Sequence, residues 1–60
     1  MTLQEDITAI NDRIARAESA RNAWRAAGRE EKYLEAHFLV EALEVQLAER
    51  LRQRVADLPR

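Results

Sequence analysis

Sixty residues, 47% of them hydrophobic and 35% charged, fit one small domain spanning 1–60, and a formal net charge of −1 gives no broad field for nucleic acid or an anionic membrane. A chain this short buries only about 60% of the surface its unfolded form exposes, so small scaffolds lean on disulfides, metals or self-association. There is no cysteine, which excludes disulfides and thiolate metal sites and leaves self-association as the expected aid.

Thr2-Leu3-Gln4-Glu5 reads as a capping box, with Thr2 accepting from the backbone N–H of Glu5 and the Glu5 side chain reaching back to the N–H of Thr2. Asp6 adds negative charge to the first turn, where the helix dipole favours it. The apolar positions of this first segment are Leu3, Ile7, Ile10, Ile14, Ala17 and Trp24, at the alternating spacing of a heptad seam. Arg21 occupies the seam position between Ala17 and Trp24, where a long side chain can lay its stem on apolar surface and keep its head in water. Trp24 is expected to anchor the seam, and the end of the helix is expected to be looser and wetter than its start.

Ala26-Ala27-Gly28-Arg29 is the one break signal before the end. A glycine just past a helix takes the left-handed cap conformation at little cost. Glu30 and Glu31 then supply negative charge to the start of a second helix. The competing reading is a single uninterrupted helix in a parallel coiled coil, because an isolated glycine inside a helix costs only about 1 kcal/mol. Leu58-Pro59 ends the second helix, since the residue before proline is pushed out of the helical region.

The second helix carries two apolar groups. Tyr33, Ala36, Val40, Leu43, Leu47, Leu51, Val55 and Leu58 form a stripe suited to packing on the first helix. Leu34, Phe38, Ala42 and Val45 fall on roughly the opposite side, flanked by Glu41, Glu49 and Arg52. One partner helix cannot cover both. The expected fold is therefore all-α: an antiparallel two-helix hairpin, with helices at about 3–27 and 30–57, dimerising to a four-helix bundle. The expected interface is Leu34, Phe38, Ala42 and Val45, with Trp24 nearby, and the expected partner is the chain itself or another protein's helix.

The capped first helix, the single-glycine turn and the heptad-like second helix resemble the Rop-like class of small dimeric helical hairpins. The resemblance covers the whole chain as architecture. It implies a dimeric bundle, and in that family the bundle binds paired RNA loops through basic and aromatic groups on one face. No diagnostic functional motif of the family can be placed on positions of this sequence.

Little here points to reaction chemistry. His37, Glu41 and Glu44 share a helix face, but the di-iron signature Glu-x-x-His fails because Leu34 stands three residues before His37. No nucleophile–base pair is readable, so neither an enzyme nor a cofactor is expected. Arg16, Arg25, Arg29 and Arg52 could instead form a phosphate-binding face for a small nucleic-acid regulator. Acidic residues interleave with the arginines and weaken that alternative. They suit complementary pairing across an antiparallel hairpin, with Arg50–Arg54 near Glu5, Asp6 and Asp12, and with Glu30, Glu31 and Glu35 near Arg21, Arg25 and Arg29. There is no apolar run of membrane-spanning length, and the acidic start lacks the basic and apolar regions of a signal peptide, so cytoplasmic residence is expected. Arg outnumbers Lys nine to one, a bias that fits a GC-rich bacterial or phage genome.

Overall fold

Thr2 starts the first helix as its spacing predicts. Its extended backbone places the side-chain Oγ1 to accept from the Glu5 N–H at 3.1 Å, while its carbonyl accepts the first helical bond from the Asp6 N–H, also at 3.1 Å. This cap satisfies one of the donors that a helix start leaves without an intrahelical partner, while the reciprocal bond from the Thr2 N–H to the Glu5 side chain is not formed among the described residues. In the computed structural model, which describes residues 2–56, the helix so begun is α1 (Leu3–Ala26) and a second, α2 (Glu30–Ala56), packs back along it. The hairpin measures 50 × 15 × 14 Å.

The turn between them has a definite hydrogen-bond pattern. The Arg29 N–H reaches back to the Trp24 carbonyl at 3.0 Å, and the Gly28 N–H to the Arg25 carbonyl at 3.1 Å. These are the two bonds of a Schellman cap, and they require a left-handed residue between the two helices. Gly28 supplies it with φ +71°, the one positive φ among the described residues. A contact between Trp24 and Arg29 closes the motif, with the Arg29 guanidinium carbon 6.0 Å from the indole ring centre. The glycine thus breaks the chain into a hairpin rather than sitting inside one long helix.

Packing follows the predicted seam through its middle. Ile7, Ile10 and Ala17 from α1 and Ala36, Val40 and Leu43 from α2 are buried, and Ile14 packs against the cluster of Ala17, Val40 and Leu43. Arg21 is half-buried at its seam position, its guanidinium 3.9 Å from the Glu18 carboxylate one turn back. Across the helices Arg50 Nε lies 3.6 Å from Asp6 Oδ2, the pairing expected of an antiparallel arrangement.

Two parts of the predicted core are exposed. Leu51 and Val55 continue the stripe of α2, yet Val55 is 69% exposed. The register explains this: with Asp6 facing Arg50, only Leu3–Glu5 of α1 remain to cover Leu51–Ala56 of α2, so the end of α2 overhangs. Trp24 is exposed as well, at 37%. Its ring lies against Arg29 of the turn instead. The predicted stop at Leu58-Pro59, and Leu58 as the last member of the stripe, lie outside the described residues.

Candidate functional site

At about 100° per residue, the face of α2 that carries Ala36, Val40 and Leu43 fixes what lies on the opposite side. That side holds Leu34, Phe38, Ala42 and Val45, and all four are exposed. Phe38 is 60% exposed and Val45 59%. Fully covering one side chain of this size is worth about 1.5–3 kcal/mol, so three such residues left in water are a substantial unrealised driving force for a small domain. Isolated surface apolar residues are ordinary, whereas a cluster on one helix face marks a contact surface. Trp24, expected beside the patch, belongs to the turn on α1, while the patch is turned away from α1.

A second apolar surface goes beyond the two stripes read from the sequence. Leu39 is 51% exposed and, with Leu43, Ala17 and Ala20, lines an open groove of about 530 Å³ along one side of the hairpin, rimmed by Arg13, Arg16 and Gln46. The signal in the sequence is the unbroken run Phe38-Leu39-Val40: three consecutive apolar residues cover most of a helix circumference, so one must fall between the core and the outer face.

The arginines do not converge. Arg25 and Arg29 border a small pocket of about 190 Å³ at the turn, together with Gly28, Glu30 and Tyr33. Arg16 stands on the rim of the side groove. Arg52 is near the far end of α2, roughly 35 Å from Arg29 at a rise of 1.5 Å per residue. The predicted ion pairs between Glu30, Glu31 or Glu35 and Arg21, Arg25 or Arg29 are not formed among the described residues. Arg21 pairs with Glu18, and Lys32 with Glu35 at 3.6 Å, each within its own helix. Partners one turn away are held close by the helix itself, whereas a partner across the hairpin must be reached by two extended side chains.

His37 sits between the core face and the patch. Its Nε2 is 3.0 Å from Glu41 Oε1, and its ring stacks on Tyr33 at 6.0 Å and tilts against Phe38 at 5.9 Å. Its Nδ1 is buried without a hydrogen-bond partner among the described residues. Of the three residues on this predicted face, His37 and Glu41 come together; among the described residues no group of three or more His, Cys, Asp or Glu side chains could hold a metal ion.

No described helix is long and apolar enough to cross a membrane. Compared with known proteins, the chain matches no family model, no curated sequence and no solved structure. The class the structure defines is that of two-helix antiparallel hairpins, and the likeness to Rop-like proteins extends to that architecture.

Proposed function

We propose that this chain is a non-enzymatic interaction module, a helical hairpin that associates with a second copy through the outer face of α2. The observation that carries the reading is the exposure of Leu34, Phe38 and Val45 together on the side of α2 opposite Val40 and Leu43. The slender core adds to it. Of the six buried apolar residues among those described, two are alanines, so the hairpin alone has little apolar surface from which to draw stability. A second copy would cover the patch and supply the missing burial. A twofold axis lets one patch meet itself and closes the assembly.

Sedimentation mass, measured for the parent chain and for Phe38→Glu at tens of micromolar, tests this reading. The parent is expected to run as a dimer. The variant, which places a charge at the centre of the contact, is expected to run as a monomer or to unfold as it dissociates. A monomeric parent, or a variant with unchanged mass and melting, overturns the reading.

A further inference from the structure

The outer face of α2 carries an order of charges that specifies how two copies meet. Leu34, Phe38, Ala42 and Val45 occupy its middle at steps of three or four residues; Glu31 lies at one end, Glu49 and Arg52 at the other, and all seven are exposed. We propose that this face pairs antiparallel with the same face of a second copy, across a twofold axis beside Ala42. The inference rests on the dimer reading above and gives it a register.

Two observations support it. The first is charge. In the antiparallel arrangement Glu31 meets Arg52 of the second copy at both ends of the contact. A parallel arrangement sets Glu31 against Glu31 and Arg52 against Arg52, and like charges in register oppose association. The second is size. With the axis beside Ala42, the smallest side chain of the face lies where the two helices come closest, and Phe38 falls on Val45 of the second copy, once on each side of the axis.

This geometry differs from the square bundle implied by the resemblance. The patch faces directly away from α1, so joining two copies through it puts the two α2 helices in the centre and the two α1 helices outside, four helices in one layer. Two carboxylates oppose the contact. Glu49 falls beside Leu34 of the second copy, one turn from its Glu31, and Glu41 lies at the edge of the face next to the axis and would approach its own copy. The His37 ring 3.0 Å away offers that carboxylate a donor whenever its proton is on Nε2.

Single cysteines in the full-length, otherwise cysteine-free chain read the register directly. Under mild oxidation Ala42→Cys is expected to cross-link most of the protein, because the two thiols face each other across the axis, while Leu34→Cys stays at background. Cross-linking of both variants indicates a parallel pair, and cross-linking of neither in a solution that sediments as a dimer indicates another face; either result overturns the proposal. A monomeric parent would instead overturn the dimer itself, so the two failures are distinguishable. Charge reversal provides a readout that does not depend on disulfide geometry. Glu31→Arg and Arg52→Glu are each expected to weaken dimerisation by about tenfold, and the double variant to regain most of the loss. A double variant as weak as either single one would rule out the Glu31–Arg52 contact.

Discussion

Phe38 and Val40 stand two residues apart on the same helix, one 60% exposed and the other 2% exposed. Both are apolar, both lie in regular helix, and both belong to groups repeating every three or four residues. The difference comes from where α1 lies. A single helix packed on another covers a stripe about 100° wide, and everything beyond that stripe is left to solvent or to another partner. On α2 the covered stripe is a fold determinant and the uncovered one is a candidate contact surface, and substitutions should separate the two roles.

The largest expected effect is Leu43→Ala on the covered face. Removing a buried leucine side chain costs about 2–5 kcal/mol, enough to unfold a domain this small at ordinary temperature. Thermal melting followed by circular dichroism should show the loss at every protein concentration. Phe38→Ala is the matched control on the other face: its melting should approach the parent's at high dilution and fall below it as concentration rises. Equal losses for the two at high dilution would erase the distinction between the faces. A smaller effect is expected from Thr2→Ala, which removes the cap of α1 and costs about 1 kcal/mol, read as a lower melting midpoint without a change in mass. Smallest is Asp6→Asn, which removes the interhelical ion pair with Arg50. Both side chains are partly exposed, so the loss should be under about 1 kcal/mol and should fade as salt is added.

Much of the fold was legible because it depends on local rules. Thr2 with Glu5 announces a helix start, Gly28 a left-handed stop, and the spacing of Ile7, Ile10 and Ala17 a buried seam, and each appears where those rules put it. The misplaced residues depend on what lies across the hairpin. Periodicity assigns Leu51 and Val55 to the correct stripe of α2 but cannot say where α1 ends beside them. Trp24 has the spacing of a seam residue, yet it is 37% exposed and the Schellman turn brings Arg29 to its ring. The exposure of Leu34, Phe38, Ala42 and Val45 was legible, since these residues are defined by being opposite the core, whereas Trp24 belongs to the end of α1. The side groove at Leu39 was not, because it depends on Arg13, Ala17 and Ala20 from the other helix.

The shortness of the turn has a consequence for how copies could exchange. Ala27 already has a right-handed helical backbone, φ −81° and ψ −5°, so the reversal falls to Gly28, with its φ of +71°, and to Arg29, which lies outside both helices. No atom lies within 4 Å of where the Gly28 side chain would begin, so backbone conformation rather than crowding holds that position to glycine. Returning these two residues to the helical region would join α1 and α2 into a continuous rod. Two such rods laid antiparallel could rebuild the same core twice, each α1 packing on the α2 of the other chain. The hairpin and its domain-swapped form thus share one set of core contacts and differ chiefly at this two-residue hinge.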